Sequence, residues 1–226
     1  MKTGTIIQAR MSSKRLPGKV LREVSGNPLL QYLWERLKRC KELDFLIVAT
    51  SIENSDDPIA QFCNDQNIQY YRGDLKNVAS RFSEIAKIYD LDAFVRVSGD
   101  SPLLDTSLVE KAIQIFNSTS SDLVTNVMPR TFPSGQSVEV LRVKTFQLAY
   151  QKMKHEEDLE HVTRYIYRNP EKFKIENFAS KKDFGECHLS VDTALDVEKF
   201  ILFTSQMERP HWEYTWKELL AFDFKS

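Results

Sequence analysis

A loop rich in basic residues follows the first apolar run of the chain. Residues 8–19, QARMSSKRLPGK, come directly after the run at 5–7 and contain four cationic side chains: Arg10, Lys14, Arg15 and Lys19. Arginine suits bidentate contact with phosphate oxygens and lysine suits a point contact. The loop is therefore a candidate polyphosphate site. Basic runs also form solvated surface turns, so charge by itself leaves both interpretations open.

Two aspartates follow predicted strands elsewhere in the chain. Asp100 comes after the apolar run at 93–97, and Asp192 comes after the run at 188–191. Mg²⁺ in proteins takes one or two carboxylates together with phosphate and water oxygens, so the pair is a candidate magnesium site beside a polyphosphate. Asp100 is equally placed to cap the helix that follows it. Thr193 and Asp196 have capping-box spacing, which leaves Asp192 outside the box.

The common phosphate-binding motifs are missing. Gly18-Lys19 resembles the end of a Walker A loop, but position 13 is serine and position 20 is valine. The first glycine and the magnesium-binding hydroxyl of that motif are therefore lacking. The seven glycines never give GxGxxG, which excludes a dinucleotide fingerprint.

Composition excludes several further classes. The chain has 226 residues and a net charge of −1, which argues against a general nucleic-acid surface. Its three cysteines are an odd number without CxxC spacing, which disfavours a disulfide framework or zinc ribbon. No signal peptide or membrane-length apolar run is visible. We expect a cytoplasmic protein with neither a nucleic-acid nor a membrane partner.

The apolar pattern alternates between strands and helices. Predicted strands cover 3–7, 45–49, 68–71, 93–97, 122–125, 137–143, 173–178 and 188–191, and predicted helices cover 28–40, a segment from 57, 78–89, 108–116, 143–153, 159–167 and 195–203. This order predicts a mostly parallel sheet with helices on both faces. We expect a single domain over 1–226, with 128–182 as an embellishment. In such sheets ligands bind at the carboxyl ends of the strands, where the basic loop and both aspartates lie.

The motifs together resemble those of a known family. The segment IIQARMSSKRLPGKVL, residues 6–21, is similar to the opening signature of the CMP-sugar synthetase type of cytidylyltransferase. The resemblance continues at 48–51, 71–73, 96–104, 133–140, 160–163, 165–170 and 191–193. It is closest to the spore-coat polysaccharide biosynthesis cytidylyltransferases, with the CMP-Kdo and CMP-sialic acid synthetases as more distant relatives.

The resemblance implies a fold, a reaction and site residues. The fold is the three-layer α/β/α nucleotide-diphosphosugar transferase (Rossmann-like) fold with a mixed, mostly parallel sheet. The reaction is transfer of CMP from CTP to a sugar acid of the nonulosonic type, with release of pyrophosphate, in surface polysaccharide or glycan biosynthesis. Mg²⁺ would be held by Asp100 and Asp192, Arg10, Lys19 and Asp100 would be catalytic, and a homodimer is expected. The nucleotide-binding residues would be Gln8, Ala9, Arg10, Met11, Ser12, Ser13, Arg15, Lys19 and Arg72.

A sugar-acid acceptor brings a carboxylate that needs a cationic partner of its own. Candidate partners in strand-end loops or in the embellishment are Arg72, Arg81, Arg130 and Arg164. His161 is a candidate acceptor contact or general base, against the alternative of a histidine on a helix surface. A glycosyltransferase of related fold and a catalytically silent nucleotide-binding protein are the alternative functions. Asp100 is followed by Ser101-Pro102 instead of completing an Asp-x-Asp motif, which counts against the glycosyltransferase.

Overall fold

The computed structural model describes residues 1–223, and in this range the chain forms a seven-stranded sheet and a two-stranded hairpin. The strands are β1 (Thr3–Gln8), β2 (Glu23–Val24), β3 (Asn27–Pro28), β4 (Phe45–Ser51), β5 (Tyr70–Gly73), β6 (Ala93–Ser98), β7 (Leu123–Thr125), β8 (Glu139–Arg142) and β9 (Ile175–Asn177). The large sheet has the order β5-β4-β1-β6-β8-β7-β9, and β2 pairs with β3. β8 runs antiparallel to both of its neighbours, while the other pairs of the large sheet are parallel.

Most residues of the central strands are buried, because both faces of the sheet are covered. In β1 the adjacent residues Ile6 and Ile7 are both fully buried, but they belong to different apolar clusters. Ile47 and Val48 divide in the same way on β4. Side chains of successive strand residues point to opposite faces. The sheet therefore separates two cores, and the three-layer prediction is confirmed.

Helices cover both faces of the sheet. They are α1 (Leu29–Leu37), α2 (Asp57–Asp65), α3 (Val78–Ile88), α4 (Thr106–Ser118), α5 (Val143–Tyr150), α6 (Glu156–Glu160), α7 (Arg164–Tyr167), α8 (Ala194–Ser205) and α9 (Trp216–Asp223). The apolar faces of α1, α2, α4, α8 and α9 pack on the side of Ile7. Those of α3, α5 and α7 pack on the side of Ile6. Within residues 1–223 none of these helices combines the length and apolarity that crossing a bilayer requires.

Two predicted elements differ from the structure. The helix predicted over 159–167 is wrong, because the chain forms α6 and α7 with a break at Val162, whose φ is 33°. The strand predicted over 188–191 is also wrong, since the segment is extended but bonds to loops instead of a strand. Leu189 N–H donates to the carbonyl of Ser134 at 2.8 Å, and Val191 N–H donates to that of Asp100 at 2.8 Å. Burial of alternate apolar residues produced a strand-like pattern without a strand partner.

The segment 128–182 is continuous with the main sheet. It supplies β8, inserted between β6 and β7, and β9 at the sheet edge. It also supplies α5, α6 and α7 on the side of Ile6. The segment thus contributes to the core as well as to the loops at the carboxyl ends of the strands.

Candidate active site

A cavity of about 490 Å³ opens at the carboxyl ends of β1 and β6. Parallel pairing places Gln8 of β1 beside Ala49 of β4 on one side and Ser98 of β6 on the other. The basic loop forms one wall, Ser98–Asp100 and Asp192 form another, and Glu160 and His161 form a third. The predicted ligand edge of the sheet therefore carries a real concavity, as expected for this class of sheet.

Backbone hydrogen bonds shape the basic loop. The carbonyl of Met11 accepts from Gly18 N–H at 2.8 Å and from Ser13 N–H at 2.9 Å. Gly18 has a φ of 73°, a left-handed conformation that glycine adopts without strain. The Met11 side chain packs against the core and Ser12 is exposed. Neither residue lines the cavity, although both were predicted to bind nucleotide.

A buried aspartate ties the loop to β4. Asp56 is fully buried, and its carboxylate accepts from Met11 N–H at 2.7 Å and from the Ser51 hydroxyl at 2.5 Å. Its charge is thereby satisfied by donors from two separate segments. The sequence analysis missed this residue. In the sequence, Asp56 stands directly before the Asp57-Pro58 helix start, a position typical of a helix-capping residue. The pattern therefore gives no indication that Asp56 bonds to a distant loop.

The side chain of Lys19 joins the two predicted metal ligands. Its Nζ lies 3.0 Å from Oδ2 of Asp100 and 2.7 Å from Oδ1 of Asp192. The Lys19 side chain is only 10% exposed, whereas Arg15, which reaches Asp192 at 2.9 Å, is 66% exposed. Carboxylates from two distant segments therefore converge on one cation. Lys19 is the inner positive charge of the loop and Arg15 is the outer one.

Close backbone contacts hold the two aspartates in place. Gly99 N–H donates to the Gln8 carbonyl at 2.8 Å, and a Cβ on Gly99 would lie 3.0 Å from that oxygen. Asp192 N–H donates to Asp196 of the capping box at 3.0 Å. The predicted box is confirmed, and it leaves the Asp192 carboxylate directed at Lys19.

An ion pair joins the basic loop to the wall formed by Glu160 and His161. Arg10 Nη2 donates to Oε1 of Glu160 at 2.7 Å, and both side chains are 40% exposed. The hydrogen bond from Arg10 lowers the pKa of Glu160. His161, next in sequence, lines the cavity and is exposed. Val162 is fully buried at positive φ, a strained backbone for a β-branched residue.

Arg81 lies in the wall of this cavity, buried within the fold. Its side chain is 2% exposed, and Nη1 donates to the carbonyl of Ala49 at 3.2 Å. Nε is buried without a hydrogen-bond partner among the described residues. Burial lowers the pKa of the guanidinium to about 10, opposed by the charge of Asp56, so the group stays cationic at neutral pH. An incompletely satisfied buried cation on a cavity wall is a candidate ligand contact.

Three of the predicted arginines, Arg72, Arg130 and Arg164, do not line this cavity. Arg72 pairs with Asp57 at 2.7 Å and donates to the Ser51 carbonyl at 2.8 Å. Arg164 pairs with Glu157, and Arg130 is exposed. Arg72 belongs to β5 and Arg164 is the first residue of α7.

A second cavity of about 220 Å³ adjoins the first. The two share Ser98, Asp100 and Asp192, so the aspartate pair lies between them. The second cavity also contains Arg96 of β6 and Glu139 of β8, which the sequence analysis did not single out. These two residues are Cα partners in the antiparallel register of β6 and β8, and sequence alone does not give that register.

The aspartate pair fits a magnesium ion. Its oxygens already converge on a single cationic nitrogen, and hard carboxylate oxygens are the ligands that Mg²⁺ prefers. Within residues 1–223 no group of three or more histidine, cysteine or acidic side chains forms a metal cluster. Two carboxylates suit an ion that takes its other ligands from phosphates and water, and do not suit a closed structural zinc site.

Comparison with known proteins identifies the family. A family model described as cytidylyltransferase matches residues 5–210, and the chain belongs to this family. A spore coat polysaccharide biosynthesis protein, SpsF, of Bacillus subtilis is 30% identical over 91% of this chain and 88% of that protein. A 3-deoxy-manno-octulosonate cytidylyltransferase of Geobacter metallireducens is 33% identical over 50% of this chain and 44% of that enzyme. A solved cytidylyltransferase from Leptospira borgpetersenii aligns with a TM-score of 0.94 at 29% identity, covering 100% of this chain and 94% of that one.

The family assignment makes this protein a nucleotidyltransferase. It confirms the resemblance found in the motifs and the predicted fold class. It also favours the nucleotidyltransferase over the glycosyltransferase alternative.

Proposed function

We propose that this enzyme transfers CMP from CTP to a sugar acid of the nonulosonic type and releases pyrophosphate, in surface polysaccharide or glycan biosynthesis. The observation that carries the proposal is the contact of Lys19 with Asp100 and Asp192 inside a cavity lined by further cations. The names of the relatives from B. subtilis and G. metallireducens support the polysaccharide context and the class of acceptor. We expect the enzyme to work in the cytoplasm as a homodimer.

The cations of the larger cavity suit a nucleoside triphosphate. All four cations of the basic loop line the cavity, and Arg10 is paired with Glu160. We assign the triphosphate to this loop, because several cations on one loop match several phosphate charges. We assign the base to the part of the cavity lined by Val78 and Arg81, because these lining residues lie outside the loop that is assigned to the triphosphate. This replaces the acceptor role predicted for Arg81.

Asp100 and Asp192 are the residues that would hold Mg²⁺. When bound, the ion neutralises phosphate charge that the cations of the loop leave uncompensated. Lys19 contacts both carboxylates in this structure and also belongs to the triphosphate loop, so it lies where the metal and nucleotide sites meet.

The reaction needs positioning more than an enzymic nucleophile. The oxygen of the acceptor's anomeric hydroxyl forms a bond to the α-phosphorus, and the bond from that phosphorus to the bridging oxygen of pyrophosphate breaks. Pyrophosphate leaves with the electron pair, and the hydroxyl proton is lost to solvent. Lys19, Arg15 and Arg10 stabilise the negative charge that develops on the leaving group.

Measurement of pyrophosphate release tests the proposal. The enzyme is incubated with Mg²⁺, each of four nucleoside triphosphates, and matched sugar acids and sugar 1-phosphates, and products are identified by mass. We expect a CMP-linked sugar acid formed from CTP, with UTP, ATP and GTP much poorer. Formation of a CDP-sugar from a sugar 1-phosphate would overturn the proposal, and so would release from none of the mixtures.

A further inference from the structure

The second cavity has the chemistry of a carbohydrate site. Its lining includes five serines: Ser98, Ser101, Ser134, Ser137 and Ser190. The hydroxyls of Ser134 and Ser190 bond to each other at 2.8 Å, whereas those of Ser98 and Ser137 have no hydrogen-bond partner within residues 1–223. Hydroxyls both donate and accept, so they match the mixed donors and acceptors of a polyhydroxylated ligand.

A single guanidinium among the described residues faces this cavity, and the protein holds it in a set orientation. Arg96 Nε donates to Gln8 at 3.0 Å, and Nη1 donates to Glu139 at 2.7 Å and to Thr163 at 3.1 Å. Nη2 makes no hydrogen bond to residues 1–223. The protein groups that support Arg96 bond to Nε and Nη1, so Nη2 is available to a ligand.

The support for Arg96 is itself buried and bonded. Glu139 is 5% exposed, and Oε1 accepts from the hydroxyl of Tyr167. Tyr167 also bonds to Thr125 at 2.9 Å. Such a network restricts side-chain motion, because each member is held by partners on a different strand or loop. Arg96 is therefore preorganised for a ligand, and no rotamer search is needed on binding.

The charge of the cavity selects among anionic ligands. Three carboxylates, Asp100, Glu139 and Asp192, face it together with one guanidinium. The aspartates are paired with Lys19 and Glu139 is paired with Arg96, so the cavity has no cation in excess. A dianionic sugar phosphate, which needs more than one cationic partner, is therefore matched less well than a single carboxylate, which can bind the available nitrogen of Arg96. The shared Asp100 and Asp192 then place the ligand next to the nucleotide cavity.

We propose that the second cavity binds the acceptor, that Arg96 binds the acceptor's carboxylate through Nη2, and that the serines contact its hydroxyls. This assignment rests on the proposed function. It gives Arg96 the role that the sequence analysis predicted for Arg72, Arg81, Arg130 and Arg164. The acceptor enters from the side of the aspartate pair opposite the basic loop, so its anomeric hydroxyl meets the α-phosphate between the cavities.

Kinetics of three variants test the assignment with 3-deoxy-manno-octulosonate and N-acetylneuraminate as acceptor probes. Arg96→Lys keeps the positive charge but loses the planar set of N–H donors of the guanidinium. The double variant R96Q/E139Q removes both charges without leaving a buried carboxylate unpaired. Ser137→Leu fills the cavity without altering charge. Arg142→Gln is the matched control, since it removes an arginine from the far end of β8 that bonds to the Ser121 carbonyl.

We expect the KM for the acid to rise about 10- to 100-fold in the Arg96 variants, because each variant loses one charge-assisted hydrogen bond to the acceptor. The KM for CTP and the calorimetric affinity for CTP should change less than about twofold. Ser137→Leu should show the same split, and it tests the cavity even where a charge variant does not fold.

The outcomes separate the two proposals. If the wild-type enzyme turns over an acid but the variants leave its KM unchanged, or raise both KM values equally, the acceptor site is wrong while the function stands. If the wild-type enzyme binds CTP yet turns over neither acid, the proposed function fails in its acceptor, and this assignment fails with it.

Discussion

Removal of the Lys19 ammonium by substitution with methionine tests the central contact of the site. Methionine keeps most of the side-chain volume of lysine and removes its charge. In the native protein this ammonium lies within 3.0 Å of two carboxylates that are 27% and 24% exposed. Exposed ion pairs contribute up to about 1 kcal/mol and breaking buried ones costs about 3–5 kcal/mol. For this partly buried group we expect a loss of about 1–3 kcal/mol in the free energy of unfolding.

The loss should appear in thermal unfolding and in nucleotide binding. For a chain of this size the expected fall in Tm is about 2–12 °C. Added Mg²⁺ should raise the Tm of Lys19→Met by more than it raises the Tm of the wild type, because the ion would neutralise two carboxylates that have lost their shared cation. Binding of CTP should weaken about 10- to 100-fold, while binding of CMP, which lacks the outer phosphates, should weaken less than about threefold.

Scanning calorimetry and isothermal titration of CTP and CMP give these quantities. Lys87→Met is the control, because Lys87 is an exposed residue of α3 and its loss changes the net charge equally. Equal losses of CTP and CMP affinity would refute the triphosphate role of Lys19. An unchanged Tm would refute the stabilising role of its contacts with Asp100 and Asp192.

Three further predictions concern the two aspartates, the anchor of the basic loop and a buried histidine. Asp100→Asn and Asp192→Asn should each lower turnover by orders of magnitude while the free energy of unfolding changes by about 1 kcal/mol, and full activity with Mg²⁺ in either variant would exclude the metal role. Asp56→Asn should weaken CTP binding and speed proteolysis of the 8–19 loop, because the loop loses its carboxylate anchor; protection equal to the wild type would count against that anchor. Burial lowers the pKa of His211 from 6.5, although its hydrogen bond to the Glu35 carboxylate opposes this shift, so the unfolded chain binds more protons near that pH. Stability should therefore fall as pH drops through 6.5, and His211→Gln should remove this part of the pH dependence in unfolding titrations.

Much of the fold and part of the site could be predicted from the sequence, because they depend on local pattern. The apolar runs of β1, β4 and β6 report burial on both faces, and the helical stripes of α1, α3 and α4 report one buried face. In a parallel sheet this order places Lys19 and Asp100 at the carboxyl edge without further information. Asp192 follows an extended segment that is not a strand, and it reaches the same edge because Val191 N–H bonds to the Asp100 carbonyl. The capping box at Thr193 is local in the same way.

Tertiary structure decided the contacts between segments that are distant along the chain. Lys19 meets Asp192 across 173 residues, and Arg96 faces Glu139 only because β8 inserts antiparallel beside β6. The buried setting of Arg81 depends on the packing of α3 beneath the cavity. A one-residue shift in the register of β6 and β8 would send Arg96 or Glu139 to the other face of the sheet. Local patterns set which residues are buried, whereas strand order and register set which of them meet.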